Sequence, residues 1–362
     1  MKKYSILVLI LITFNSIAQE KNKQIQGQLD NIVEDKMVMG VAAAYSINGE
    51  IIEQAAAGYA DKDAGKLLQS DTKLRMGSIA KSMTALAVMQ LVEQGKLDLD
   101  LPIQTYIPDY PKHKKTQITT RHLLSHTSGI SGYKDGRESN TTTQYPTLYD
   151  ALNLFKDRDL LFEPGTQYSY TTYGYTVLGA IMESVTGQTF EAYMIEHIFA
   201  KAGMTNTGVE KFGEELENES KLYNRNNSKG KAKPAKENNL SNRLPAGGFY
   251  TTLIDMLKFG DAVLNNTLVK EETLILMRKH HSLEKENNAY GFGWFLYNPK
   301  PNEGSIIGHP GAQTGCTSFL FIVPEKKAVS IILSNTSRAQ SSVDPIANDL
   351  LRLSVGKTSN NN

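Results

Sequence analysis

The 362-residue sequence is nearly without cysteine and has no excess of charge of either sign. Its single cysteine, Cys316, has no partner in the chain, so the fold must depend on a buried core and not on an internal disulfide. The 39 basic and 38 acidic residues leave a formal charge of +1. Because nucleic-acid binding depends on a basic surface, this balance argues against a nucleic-acid partner.

Several functional motifs are also missing. The seven histidines include no H-E-x-x-H, and His280 and His281 lack further ligands at a useful spacing, so we expect no metal site. No G-x-S-x-G elbow occurs, which argues against an α/β-hydrolase. Dinucleotide-binding and phosphate-loop patterns are absent, and we therefore expect no cofactor.

The longest apolar run lies at the N-terminus. A basic start, Met1-Lys2-Lys3, precedes the apolar run 6–14 and the small residues 16–18. The run is too short to span a bilayer, and this order is typical of a signal peptide. We expect a signal peptide at 1–18, cleaved after Ala18, and a mature protein that is periplasmic or secreted and has no stable membrane span. An uncleaved membrane anchor is the alternative.

Two pairs of strand-like runs stand at opposite ends of the chain, each beside an amphipathic helix. Asn48-Gly49 joins the first pair, and this dipeptide readily takes the positive φ angles of a two-residue turn. The runs are 41–47 with 51–57, and 317–323 with 328–334. They predict an α+β fold in which one antiparallel sheet is flanked by the N- and C-terminal helices. The middle, about 75–245, is then a mostly helical insertion in one domain over 19–355, followed by a tail at 356–362.

Residues 211–243 are rich in Asn, Lys, Glu and Ser. Their composition predicts a solvated, mobile loop. A basic binding loop is the alternative, because the segment carries Lys229, Lys231, Lys233 and Lys236.

A serine followed three residues later by lysine places both side chains on one face of a helix, where the amine can take the proton of a nucleophilic serine. Among the serines with this spacing, only Ser78, with Lys81, follows a glycine and opens a long apolar helix that is expected to stop near Gly95. A helix N-terminus favours developing negative charge. Ser78 is therefore the candidate nucleophile, and a plain N-cap serine is the alternative. The other serines with the spacing are Ser70, Ser131, Ser228, Ser282 and Ser354.

The stretch from Arg75 to Pro108, RMGSIAKSMTALAVMQLVEQGKLDLDLPIQTYIP, resembles the nucleophile helix and following loop of the serine β-lactamase and penicillin-binding protein superfamily, in its class C-like branch. Further blocks agree with the family in order and cover most of the mature chain. They are HLLSHTSGI from His122, EPGTQYSYTTYGYTVLGAIMESVTG from Glu163, PAGGFYTTLIDMLKFG from Pro245, YGFGW from Tyr290 and GHPG from Gly308. The resemblance implies the same sheet and helical insertion, with the active site between them.

The resemblance also implies catalytic roles. Ser78 and Lys81 match the first family motif, and Tyr170 matches the tyrosine of the second. Serine is a poor nucleophile at its ordinary pKa, so a buried lysine or a tyrosine coupled to it must take the serine proton. Tyr170 can then return a proton to the leaving group. A core tyrosine without a catalytic role is the alternative for Tyr170.

Substrate-binding and oxyanion groups follow from the same comparison. The third motif is matched by His309-Pro310-Gly311, and family geometry implies oxyanion donors at the backbone N–H groups of Ser78 and Ala312. Thr172, His309 and Gly311 are expected to line the substrate site. For His126 we derive no catalytic role and expect a structural one.

Two departures from the family pattern bear on specificity. Thr172 stands where the second motif usually has asparagine, and His309 stands where the third usually has lysine. Because an unperturbed histidine is mostly neutral near pH 7, we expect weakened anchoring of a substrate carboxylate. The combination is similar to the mitochondrial β-lactamase-like serine proteins, which are regarded as peptidase-like and filament-forming.

These observations predict an exported serine hydrolase that forms an acyl-enzyme at Ser78. Its substrate is predicted to be a small molecule or peptide with an ester or peptide bond, cell-wall peptides included. A true β-lactamase or D-alanyl-D-alanine carboxypeptidase is the alternative among enzymes. A filament-forming or binding scaffold with little turnover is the alternative of another class, and the presence of Ser78, Lys81 and Tyr170 argues against it. The sequence leaves the oligomeric state open.

Overall fold

A seven-stranded antiparallel sheet draws its strands from both ends of the chain. The computed structural model describes residues 24–112, 116–227, 230–283, 289–297 and 305–356. In chain order its strands are β1 (Gly40–Ile47), β2 (Glu50–Asp61), β3 (Lys66–Leu67), β4 (Leu74–Arg75), β5 (Gly208–Val209), β6 (Tyr223–Asn224), β7 (Lys233–Pro234), β8 (Phe249–Thr251), β9 (Phe295–Tyr297), β10 (Ile306–Gln313), β11 (Cys316–Val323), β12 (Ala328–Ser334) and β13 (Thr336–Ser337). The large sheet has the order β3-β2-β1-β12-β11-β10-β9, so β1 and β12 join the two ends at its centre.

Tight turns set the register of this sheet. Asn48 and Gly49 have φ angles of 54° and 79°, and they connect β1 to β2 as the dipeptide predicts. Between β11 and β12 a short 3-10 turn, Pro324–Lys326, is closed by Lys327 at a φ of 46°. Both hairpins therefore form where the sequence indicates them.

The helices lie on both sides of the sheet. They are α1 (24–34), α2 (Ala80–Glu93), α3 (Thr120–Leu124), α4 (Gly136–Ser139), α5 (Leu148–Leu152), α6 (Thr172–Thr186), α7 (Phe190–Met194), α8 (Leu244–Gly247), α9 (Leu253–Leu264), α10 (Glu271–Met277) and α11 (Gln340–Ser354). Helices α2 to α8 follow β4 and precede β8 in the chain. The predicted α+β class, with terminal helices and an inserted helical region, is confirmed.

Successive side chains of the central strands point alternately to the two faces of the sheet, and both faces are buried. Ala42, Ala44, Ile331 and Leu333 join a large core that includes α2, α6 and α9. Their neighbours in the two strands, Val41, Ala43, Tyr45 and Ile332, join a second core with α1 and α11. Because successive strand residues point to opposite faces, a strand covered on both sides is apolar throughout, and β12 is buried at every position.

The segment 211–243 is more ordered than its composition predicts. It forms β6 and β7, which pair with each other and, through β6, with β13. Its lysines at 231, 233 and 236 are exposed, but Asn238 and Arg243 are buried. The prediction of a solvated loop is therefore wrong for the C-terminal part of the segment, which packs against the body of the protein.

No helix within the described ranges is long and apolar enough to cross a membrane. The predicted signal peptide at 1–18 lies outside the described residues, as do residues 357–362 of the predicted tail.

Candidate active site

A sharp turn at Gly77 places Ser78 at the start of a buried helix. Gly77 has a φ of 59°, and a Cβ at this position would lie 2.8 Å from the amide nitrogen of Ala312. Ser78 follows in a single 3-10 turn, Gly77–Ile79, that continues into α2. Glycine is required here for both the positive φ and the close approach to β10. The glycine that precedes Ser78 in the sequence therefore meets a requirement of this turn.

Lys81 lies one helical turn beyond Ser78 and is fully buried. Its Nζ lies 3.0 Å from the Oγ of Ser78 and donates a hydrogen bond of 3.0 Å to the carbonyl oxygen of Ala246. Burial disfavours the ammonium form, and the charge of Arg243 disfavours it further, which lowers the pKa of Lys81 to about 7. An amine with such a pKa is partly neutral near pH 7 and can act as a base.

The ring of Tyr170 packs against the ammonium group of Lys81. The centroid of its ring lies 4.9 Å from Nζ of Lys81, and 36% of its surface is exposed. Burial of its hydroxyl raises the pKa of Tyr170 well above the ordinary value, while a hydrogen bond with Ser78 acts in the opposite direction. The phenol therefore stays protonated near neutral pH and lies where it can exchange a proton with Ser78.

His126 holds the chain on both sides of Tyr170. Its carbonyl oxygen accepts a hydrogen bond of 2.9 Å from the N–H of Ser169, and its Nδ1 accepts one of 3.2 Å from the N–H of Thr171. The two ring centroids of His126 and Tyr170 lie 4.2 Å apart. Burial lowers the pKa of His126 well below its ordinary value, so the imidazole is neutral. The sequence predicts a structural role for His126, and the contacts identify Tyr170 as the residue it positions.

His309 of the third motif lies beneath the cleft. It is 1% exposed, its Nδ1 lies 2.7 Å from the carbonyl oxygen of Pro310, and its Nε2 lies 3.1 Å from the hydroxyl of Tyr290. Since a carbonyl only accepts, Nδ1 carries the proton and Nε2 accepts from Tyr290. Burial, with the nearby charge of Lys81, lowers the pKa of His309 to about 3. The predicted direct contact between the His309 side chain and a substrate does not fit this arrangement, because both ring nitrogens are already bonded within the protein.

The strand β10 lies close against the nucleophile turn. A Cβ at Gly311 would come within 2.0 Å of the Oγ of Ser318 and 2.2 Å of the carbonyl oxygen of Met76. Ser318 itself donates a hydrogen bond of 2.8 Å to that carbonyl. Glycine at 311 therefore lets β10 approach the turn, and this brings Ala312 beside Ser78.

A cleft of about 740 Å³ opens above these residues. Its lining includes Ser78, Thr172, Arg243, Gly247, Ala312 and Gln313. Thr172 is the first residue of α6 and is partly exposed to the cleft. Among the predicted site residues, Ser78, Thr172 and Ala312 line the cleft. Lys81 lies against Ser78 without lining the cleft, as Tyr170 lies against Lys81. His309 and Gly311 belong to β10 and are not part of the lining. The described residues contain no group of His, Cys, Asp or Glu side chains that could hold a metal ion.

The family model of the β-lactamases matches residues 26–353. The chain belongs to this family. Among curated β-lactamase-related proteins, it is 29% identical to the human mitochondrial serine β-lactamase-like protein LACTB, over 82% of this chain and 71% of that protein. It is 31% identical to the putative penicillin-binding protein PbpX of Bacillus subtilis, over 80% of this chain and 68% of that protein.

Solved structures agree with this family assignment. The D-amino acid amidase from Ochrobactrum anthropi, complexed with L-phenylalanine, superposes with a TM-score of 0.77 at 26% identity, over 92% of this chain and 98% of that one. The predicted membership of the serine β-lactamase and penicillin-binding protein superfamily is confirmed. This β-lactamase-family chain is therefore a serine hydrolase.

Three residues of this β-lactamase-family site were missed or left without a role by the sequence argument. Tyr290 belongs to the YGFGW block. Its place in a block that matches the family could have identified it as a site residue. Arg243 has no motif of its own, although it stands two residues before the PAGG block. His126 lies in the HLLSHTSGI block, but its function depends on a contact with a segment more than 40 residues away, between Nδ1 and the N–H of Thr171.

Proposed function

We propose that this chain is an exported serine hydrolase whose Ser78 forms an acyl-enzyme with an ester or peptide substrate. The observation that carries the proposal is the distance of 3.0 Å between Nζ of Lys81 and Oγ of Ser78 in a fully buried setting. Because burial lowers the pKa of Lys81 to about 7, the neutral amine is available to accept the serine proton.

The contacts support an order of proton transfers. The Oγ of Ser78 attacks the acyl carbon while its proton passes to the coupled pair of Lys81 and Tyr170. The oxyanion that forms is stabilised by the backbone N–H groups of Ser78 and Ala312. Tyr170 then donates a proton to the departing alcohol or amine, and the acyl-enzyme remains. In the second half, water attacks the acyl carbon and loses a proton to the same pair. The bond between the acyl carbon and Oγ of Ser78 then breaks, the pair returns the proton to Oγ, and the acid leaves.

An amide or ester substrate is supported by the relatives of this chain. One structural neighbour is a D-amino acid amidase, which acts on an amide bond. A β-lactamase or D-alanyl-D-alanine carboxypeptidase is the second candidate, and the similarity to a putative penicillin-binding protein favours it. The two candidates share the acyl-enzyme and differ in the acyl group that reaches Ser78.

Parallel labelling with a fluorophosphonate and a fluorescent penicillin tests this proposal. We expect the fluorophosphonate to label wild-type protein and not Ser78→Ala. Lasting penicillin label would indicate a penicillin-binding protein, and rapid loss of that label with hydrolysis of the lactam would indicate a β-lactamase. Wild-type protein that reacts with neither probe would contradict the proposed hydrolase.

Export is tested separately by the mass of the mature protein. We expect the secreted or periplasmic form to begin at Gln19, because cleavage is predicted after Ala18. A mature form that retains Met1 would contradict the predicted signal peptide.

A further inference from the structure

Arg243 is a buried cation beside the cleft, and the described part of the chain gives it no carboxylate partner. It is 5% exposed, and its guanidinium donates to the hydroxyl of Tyr133 over 2.7 Å and to the carbonyl oxygen of Ser139. Its Nε makes no hydrogen bond within the described part of the chain. Two other arginines of the fold differ in this respect, because Arg75 is paired with Glu210 and Arg158 with Glu138.

An unpaired buried charge is costly, and proteins normally compensate it with an opposite charge. For Arg243 the described residues supply neutral oxygens only, from Tyr133 and Ser139. Its positive charge also reaches the reaction centre, because it contributes to the lowered pKa of Lys81. A bound anion would compensate this charge.

Arg243 is also in the right place to meet a substrate. It lines the same cleft as Ser78, and it immediately precedes α8, whose Ala246 carbonyl accepts the hydrogen bond of Lys81. The exposed rim of the cleft adds Lys236 and Arg338, against the single carboxylate of Glu237. The cleft is therefore positively charged although the whole protein is nearly neutral.

We infer that Arg243 forms an anion subsite that binds a carboxylate group of the substrate, so that this hydrolase prefers acyl substrates with a free carboxylate near the scissile bond. The inference rests on the proposed function at Ser78 and names the substrate class of that site. A planar guanidinium with several N–H donors suits a carboxylate better than a histidine does. His309 of the third motif carries no charge that could anchor a carboxylate, and Arg243 supplies that charge instead.

Two matched substrate pairs test this inference. The first pair is p-nitrophenyl hydrogen glutarate and its methyl ester, which places the carboxylate on the acyl side. The second is the depsipeptide N-acetylphenylalanyl-lactic acid and its lactamide, which places it on the leaving group. The value of kcat/KM is measured for wild type, Arg243→Gln, Arg243→Lys and the rim control Arg338→Gln, with thermal unfolding as the check of folding.

In at least one pair we expect the free acid to react roughly ten- to a hundredfold faster than its neutral partner in wild type, as a charge-assisted hydrogen bond would provide. The advantage should nearly vanish in Arg243→Gln, be reduced in Arg243→Lys and persist in Arg338→Gln. If the free acid has no advantage over its neutral partner in either pair in wild type, the inference is overturned, even where Arg243→Gln does not fold. An acid advantage that survives in folded Arg243→Gln would overturn it as well.

If the chain is not a hydrolase, these experiments give a different set of results. If neither pair is hydrolysed and Ser78 does not react with a fluorophosphonate, the hydrolase proposal is wrong. The subsite is then tested by calorimetry with N-acetylphenylalanine and N-acetylphenylalaninamide, in both enantiomers. Binding of the acid alone, lost in Arg243→Gln, would support an anion subsite without turnover, and equal or absent binding of the two would overturn it.

Discussion

The hydroxyl of Tyr290 lies 3.1 Å from Nε2 of His309, in a part of the site that is closed to solvent. Because Nδ1 of His309 donates to the carbonyl of Pro310, Tyr290 is the donor to Nε2. The third motif of this protein is thereby held as a neutral imidazole with one fixed tautomer. A buried, neutral imidazole supplies no positive charge to the site.

The Tyr290→Phe variant tests the hydrogen bonds of this hydroxyl, which also contacts the side chain of Tyr175. It leaves Nε2 of His309 buried without a donor, so we expect the free energy of unfolding to fall by about 1–3 kcal/mol. Urea denaturation measures the change. Tyr297→Phe is the matched control, because its hydroxyl makes no hydrogen bond within the described ranges, and an equal loss in both variants would contradict the assignment.

The pH dependence of kcat/KM tests Lys81 as part of the base. The free-enzyme profile should rise with pH and level off above an inflection near 7, since the amine must be neutral to accept the serine proton. The inflection belongs to the coupled pair of Lys81 and Tyr170. A flat profile between pH 5 and 9, after correction for spontaneous hydrolysis, would contradict the role of Lys81.

Lys81 should also reduce the stability of the folded protein. Its folded pKa of about 7 lies below the ordinary value of 10.5, so the unfolded chain binds an extra proton between these pH values. The destabilisation is therefore full below pH 7, decreases as pH rises and is absent above 10.5. We expect Lys81→Met to unfold at higher urea concentration than wild type at pH 6, with a difference that shrinks by pH 10. A constant difference across this range would show that the amine is not the cause.

We expect His126 to act as a positioning residue for Tyr170, because it bonds the backbone on both sides of it. His126→Leu removes the acceptor for the N–H of Thr171, and we expect kcat to fall by roughly ten- to a hundredfold, as small displacements of reacting groups often cause. His126→Asn should restore much of the loss, because its carbonyl oxygen can take the place of Nδ1 and asparagine tolerates the φ of 58° at this position. Equal loss in both variants, or a change confined to KM, would contradict this role.

The sheet could be predicted from the sequence because its signals are local. The turn at Asn48-Gly49 and the apolar runs that became β1, β2, β11 and β12 need only short windows of sequence to be recognised. The observed bounds extend the predicted ones by no more than a few residues, as with Gly40–Ile47 for 41–47. The helix at Ser78 could be predicted for the same reason.

The electrostatics of the site could not be predicted, because they depend on contacts between distant segments. The pKa of His309 reflects its burial beside Lys81, more than 200 residues away in the chain. The segment 211–243 looks solvated in composition, yet its last residue, Arg243, is fixed by Tyr133 and Ser139. Composition reports average polarity and does not show which polar side chains find buried partners.

Mapping of the covalent adduct tests the central claim most directly. Wild-type protein is treated with a fluorophosphonate, digested and analysed by mass spectrometry, with Ser78→Ala and Lys81→Ala treated in parallel. We predict a single adduct on Ser78 in wild type, none in Ser78→Ala and strongly slowed labelling in Lys81→Ala. An adduct on Ser131 or Ser282, or labelling that persists in Ser78→Ala, would contradict the account.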